Sequence, residues 1–233
     1  MPINVFWFFQ RTFIIYGNRL PAKRVIYCLW GKCLNIIKNI IADYEKLIKT
    51  DIQIPLSNGD MIRFSFRPQD LPHLLGLQHL VDQQILFEYS EKRLSATELY
   101  RRMSGRGKDA INPDEFEKSI YFEKLYNGRI RYFSSQIILD IIQARQIVKF
   151  DPGKIRNFST KLEKIEYMFW KQYGDKDNNY GYFGIGFMAS GGTGDINYPN
   201  TFFFRMDDEY ICDQEKVLPH EMKQLLNEYK QKM

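Results

Sequence analysis

Arg63-Phe64-Ser65-Phe66-Arg67-Pro68-Gln69-Asp70-Leu71-Pro72-His73-Leu74-Leu75-Gly76-Leu77 joins an alternating strand to a turn that carries a histidine. Successive side chains of an extended chain point to opposite sides, so Ile62, Phe64 and Phe66 share one face and Arg63, Ser65 and Arg67 the other. One face is core and the other is basic. Pro68 ends the strand. Leu71 to Leu75 then reads as a short helix with Pro72 in its first turn, where a missing N–H is tolerated, and Gly76 closes it. His73 is thereby delivered to a strand-to-helix junction beside Arg67, which predicts that Arg63, Arg67 and His73 converge on one solvent-open surface.

Working outward, the strand is the second arm of a hairpin. Residues 51–56 and 61–67 flank Ser57-Asn58-Gly59-Asp60, and Asn-Gly tolerates the positive φ of a tight turn better than any other dipeptide. Upstream, Ile37, Ile40, Ile41, Tyr44 and Ile48 recur at helical spacing among Lys38, Asp43, Glu45 and Lys46, predicting an amphipathic helix over 34–49. Downstream, 80–127 reads as a helical insertion or lid, with helix starts at Ser95-Ala96-Thr97-Glu98 and Asn112-Pro113-Asp114-Glu115. Ser134 or Ser135 caps a further helix whose apolar set is Ile137, Ile138, Ile141, Ile142 and Ile147.

The chain then changes character. Residues 164–173, 180–189 and 198–206 are aromatic runs separated by Gly174 to Asn179 and by Ser190 to Asp195, the pattern of an antiparallel meander. Gly181, Gly184 and Gly186 thin the middle run, which suits a close approach or, better, curvature of the sheet. Leu218, Met222, Leu225, Leu226 and Tyr229 form the apolar stripe of a final helix. The fold class is therefore α+β, with helices packed on a curved antiparallel sheet.

At 233 residues, 44% hydrophobic and 15% aromatic, the chain is long enough to bury a substantial core. Its formal charge of +5 permits a nucleic-acid partner without demanding one. Cys28, Cys33 and Cys212 are too few and too scattered for a disulfide framework, which fits free buried thiols in a reducing, cytoplasmic setting. The apolar first thirty residues are broken by Arg11 and by Lys23-Arg24, so no segment reaches the length of a bilayer span. Nothing basic precedes Val5, unlike a signal peptide, and residues 1–30 are expected to be a packed apolar extension, with peripheral membrane contact as the alternative.

The aromatic strand, the Arg67-Pro68 step and the Leu71-Pro72-His73-Leu74-Leu75-Gly76-Leu77 turn, supported by the late aromatic strand from Tyr198 to Tyr210, resemble the fourth group of phage-associated nucleases with the barnase, EndoU, colicin and RelE fold. The resemblance implies a ribonuclease-like domain, here 31–233, in which helices precede a curved antiparallel sheet. It also implies an RNA substrate, a toxin or phage-associated effector role, and an antitoxin or immunity partner.

Cleaving RNA without a metal requires a base for the 2′-hydroxyl, an acid for the leaving oxygen, and fixed positive charge on the phosphorane. His73, Arg67 and Arg63 fit those roles. The alternative for His73 is a structural histidine at a helix start. His73, His79 and His220 show none of the spacings of a zinc site, so no metal or other cofactor is expected. On the late strand Thr201, Phe203 and Arg205 share a face and offer a hydroxyl, a stacking ring and a cation for single-stranded RNA, although such a set also suits an ordinary solvated face. Arg101, Arg102, Arg106 and Lys108 cluster around Gly105 and Gly107; runs of this kind are usually solvated, but they also track phosphate backbones. Taken with the resemblance, these residues point to a metal-independent endoribonuclease acting by 2′-hydroxyl attack, with Thr201 beside His73 and Arg67 in the catalytic set. A nucleic-acid-binding or protein-interaction module on the same fold, and a structural phage protein, are the competing readings.

Overall fold

The computed structural model describes residues 36–48, 50–155, 162–174, 179–188 and 196–220. Helix α1 (Ile36–Tyr44) buries Ile37, Ile40, Ile41 and Tyr44. The hairpin follows as strands β1 (Asp51–Pro55) and β2 (Met61–Ser65), antiparallel with Ile52 opposite Phe64. Gly59 takes φ +98° in its turn, as the Asn-Gly pair predicts. A short helix α2 (Leu71–Leu74) leads into α3 (Gln84–Ser90), α4 (Ala96–Met103), a 3-10 turn at Pro113–Lys118, α5 (Phe122–Gly128) and α6 (Ser135–Gln143). Ser95 and Ser134 act as N-caps, their side chains accepting from the backbone N–H of Glu98 and Ile137.

The second half is one antiparallel sheet. Strands β3 (Gln146–Lys149), β4 (Ile165–Tyr173), β5 (Asn179–Met188), β6 (Ile196–Arg205) and β7 (Glu215–Val217) lie in the order β6-β5-β4-β3-β7. Several features differ from the sequence expectation: helix α1 ends at Tyr44, short of Ile48, which bridges to Phe66 instead, and Cys212, expected to be buried, is exposed. Ile147 is not the end of a helix. Arg145 adopts φ +53°, which stops α6 at Gln143, and Ile147 then pairs as a strand residue with Phe169 on one side and Val217 on the other. The glycines of β5 are explained by contact: a Cβ at Gly184 would lie 2.7 Å from the Thr201 methyl, and one at Gly186 would lie 2.9 Å from the Tyr198 ring. The apolar extension, Cys28, Cys33, the Ser190 to Asp195 loop and all but the first residues of the final helix lie outside the described residues, in which no helix is long and apolar enough to cross a membrane.

Both faces of the sheet are packed. One carries Phe169, Phe183, Ile185, Phe202 and Phe204 against the hairpin and the helices; Phe64 and Phe66 meet Phe183 with ring centroids 5.9 and 5.8 Å apart. Leu86, Leu99, Met103 and Leu125, from the helices between 80 and 127, join this same core. The other face carries Met168, Tyr182 and Phe203, covered by Phe150, Tyr210 and Ile211. The hairpin therefore spends its apolar face on the sheet and leaves its Arg63 face outward.

Candidate active site

The site begins at the corner between β2 and α2. Leu71, Pro72, Leu74 and Leu75 are buried there, and His73 is left half-buried between helix and sheet. The corner is fixed by Arg67 and Asp70. The Arg67 backbone N–H and Nε donate to Asp70 Oδ2 at 2.9 and 3.3 Å, Nη2 donates to Oδ1 at 3.0 Å, and the Tyr44 hydroxyl donates to the Arg67 carbonyl at 3.0 Å. Burial pushes the Asp70 carboxyl up, against the pull of the guanidinium.

Strand β6 supplies the facing wall. Its pairing with β5 slips between Gly184, opposite Thr201, and Ile185, opposite Pro199, so Asn200 is the extra residue of a bulge. The slip puts Tyr198 and Thr201 on the same face and turns Asn200 toward the corner. The Asn200 side chain hydrogen-bonds His73, and its amide nitrogen donates to the Tyr198 hydroxyl at 3.2 Å. Burial pulls the His73 pKa below its ordinary value and Arg129 pulls it further, while the bond the ring makes to Asn200 opposes them and the exposed Lys164 adds to the fall.

Arg129 is the third component. It follows α5, and its Nη1 donates to the Leu74 carbonyl and to Thr201 Oγ1, both at 3.4 Å. Its guanidinium carbon lies 5.9 Å from the centre of the Phe203 ring. Burial brings its pKa down to about 10, opposed by Tyr210 and reinforced by Arg205, so it remains a cation at neutral pH. Gly76 makes the passage for this side chain. At φ +74° it ends α2 in the left-handed region, and a Cβ there would come within 3.3 Å of the Arg129 side chain and 2.9 Å of Leu125. We expect Gly76→Ala to destabilise the fold by about 1–2 kcal/mol, from left-handed strain together with the displaced arginine. Denaturant titration of both proteins tests this, an unchanged midpoint being the contrary result.

The arrangement is a neutral-leaning imidazole, a desolvated guanidinium, a hydroxyl and an amide gathered at a bulged edge strand. Among the described residues no group of three or more His, Cys, Asp or Glu side chains is placed to share a metal ion. A family model described as phage-Barnase-EndoU-ColicinE5/D-RelE like nuclease 4 matches residues 36–230. The chain belongs to that family. The matched span of this nuclease-like family includes the whole candidate site, and the resemblance seen in Arg63 to Leu77 lies within it. No curated protein and no solved structure matched the chain.

The other residues singled out from sequence are distributed as follows. His73 bonds Asn200, and Thr201, itself buried, accepts from Arg129, whereas Arg67 is paired with Asp70 and Arg63 stands exposed beside Gln53, 3.5 Å away. Phe203 is only 7% exposed, sealed between Tyr182 and Tyr210. Arg205 is exposed, its guanidinium 5.9 Å from the Tyr210 ring. Within the basic run, Arg101 and Arg102 both reach Glu98, Arg106 reaches Glu45 at 2.9 Å, and Lys108 is exposed. Sequence pattern alone assigns no site role to Arg129, Asn200, Tyr198 or Lys164. One signal is present: Pro199 within a strand run marks a bulge or an edge, which is where this sheet places Asn200.

Proposed function

We propose that this nuclease-like protein is a metal-independent endoribonuclease, acting as a toxin or phage-associated effector with an antitoxin or immunity partner. His73, held neutral near pH 7, takes the proton of a 2′-hydroxyl. The freed oxygen attacks the adjacent phosphorus, and the bond from phosphorus to the 5′-oxygen of the next nucleotide breaks, that oxygen leaving as a hydroxyl with a proton drawn from solvent and the phosphorus remaining in a cyclic phosphate. Arg129 and Thr201 hold the non-bridging oxygens as charge builds on the phosphorane. Arg67 contributes by clamping the corner that aims His73. Arg205 and Lys164 supply exposed charge for neighbouring phosphates, with Arg63 and Lys108 as more distant contacts. The observation that carries this reading is geometric: His73, hydrogen-bonded to Asn200, lies within the field of Arg129, whose Nη1 also holds Thr201 Oγ1, an arrangement that suits a general base beside an anionic transition state.

The test is incubation of the full chain with end-labelled RNA and with DNA of the same sequence, in the presence of a chelator. RNA should be cut to products bearing a cyclic phosphate, more weakly as salt rises, while DNA survives. Cleavage of DNA, or cleavage abolished by the chelator and restored by a divalent ion, would overturn the mechanism.

The pH dependence follows from the direction of the shift. The acid limb of kcat/KM should fall below 6.5, the ordinary histidine value. Stability contributed by neutral His73 should likewise be present above 6.5 and be lost as pH drops toward its native pKa, because the unfolded chain then binds the extra proton. Asn200→Leu removes the bond that favours the charged ring, so the acid limb should move lower; Asn200→Asp adds a negative charge and should move it higher. Superimposable pH profiles for the two variants would remove Asn200 from any role in tuning His73.

A further inference from the structure

The sheet face that carries Thr201 continues away from His73 as two cross-strand rows. Phe203, Tyr182 and Trp170 face one another across β6, β5 and β4, and Arg205, Tyr180 and Gln172 form the next row. The rings make an unbroken series: Phe203 to Tyr182 at 5.0 Å, Tyr182 to Tyr180 at 6.2 Å, Tyr180 to Trp170 at 6.1 Å. The series changes from buried to open along its length. Phe203 and Tyr182 are buried, Tyr180 and Trp170 are half-exposed, and Gln172 and Arg205 reach solvent. Arg205 lies four residues beyond Thr201, about 13 Å along the strand, and its field reaches Arg129.

We propose that Tyr180 and Trp170 form a base-stacking platform for single-stranded RNA, with Arg205 on the phosphate that leads from the platform to the site. This rests on the ribonuclease reading above. Two partly exposed rings packed beside a buried one offer aromatic surface that any nucleobase can cover, and a cation in the same row as Tyr180 matches the backbone charge between stacked bases. A duplex does not fit, because its bases are already stacked on each other and turned inward. A strand entering at the platform would pass Arg205 and skirt the Tyr210 cover over Phe203 before its next phosphates reach Arg129 and Thr201.

The experiment measures binding apart from chemistry. A short 2′-O-methyl RNA strand, blocked at the hydroxyl that the reaction needs, is titrated by fluorescence anisotropy against the full chain and against Tyr180→Ala, Trp170→Ala and Tyr180→Phe. Each alanine variant should lose about 5- to 150-fold in affinity, the range expected of one stacked base, and Tyr180→Phe should bind like the parent. The alanine variants should show no added loss on an abasic strand of equal length, and the annealed duplex should bind more weakly than the single strand. Unchanged affinity in alanine variants whose circular dichroism matches the parent overturns the platform. So does an equal loss on the abasic strand, or a duplex that binds as tightly. Failure of the ribonuclease reading is seen separately, as intact RNA after incubation with the unmodified chain.

Discussion

His73→Ala should reduce single-turnover RNA cleavage about 10²- to 10⁴-fold while leaving RNA affinity nearly unchanged. The ring is half-buried between α2 and β6, it is pulled toward the neutral form by burial and by Arg129, and its hydrogen bond to Asn200 orients it. Removing it takes away a proton acceptor and little binding surface. Its loss should also spare the fold, since Leu71, Leu74 and Leu75 form the buried part of the turn. Single-turnover rates beside equilibrium binding separate the two effects. A His73→Ala protein that cleaves normally would end the catalytic assignment of His73 and place the base elsewhere.

Arg129→Lys is expected to cost about 10²- to 10³-fold in cleavage, because a preorganised donor aimed at developing negative charge is lost even though the charge is kept. One Nη1 serves both the Leu74 carbonyl and Thr201 Oγ1 while the flat guanidinium rests against Phe203. An ammonium group cannot reproduce that planar fork. Unlike the histidine change, this one should also weaken RNA binding, since the cation that holds the phosphate in the ground state has moved. Thr201→Val should reproduce part of the loss. If Arg129→Lys retains full activity, Arg129 is a packing residue that happens to carry charge.

Local chemistry was legible in the sequence. The Asn58-Gly59 turn, the Ser95 and Ser134 caps, and the proline-and-glycine-bounded turn around His73 are each set by a few adjacent residues, and all appear in the structure. Ile147 misled because an isoleucine at helical spacing looks the same whether or not the chain reverses at Arg145 first. The partners of His73 were harder still. Arg129 reaches carbonyl and hydroxyl groups 55 and 72 residues away in sequence, and nothing near Gly128 announces that reach. Asn200 faces the corner because of a bulge, and a bulge reverses the alternation on which strand reading depends. Arg67 was identified by its place on the basic face, but an Asp three residues later captured it, an outcome that the Arg67-Pro68-Gln69-Asp70 spacing allows without demanding.

Strand β6 is the outermost strand at its end of the sheet, and an outermost strand exposes a row of backbone groups that can recruit a strand from another molecule. Here Pro199 removes one N–H from the row, the Asn200 bulge breaks its spacing, and α2 and α5 pack against the strand. The irregularity that aims Asn200 at His73 therefore also guards against self-association through this edge. Straightening it, for instance by deleting Asn200 so that the ladder runs evenly, should yield a protein that forms soluble oligomers or aggregates as well as losing activity.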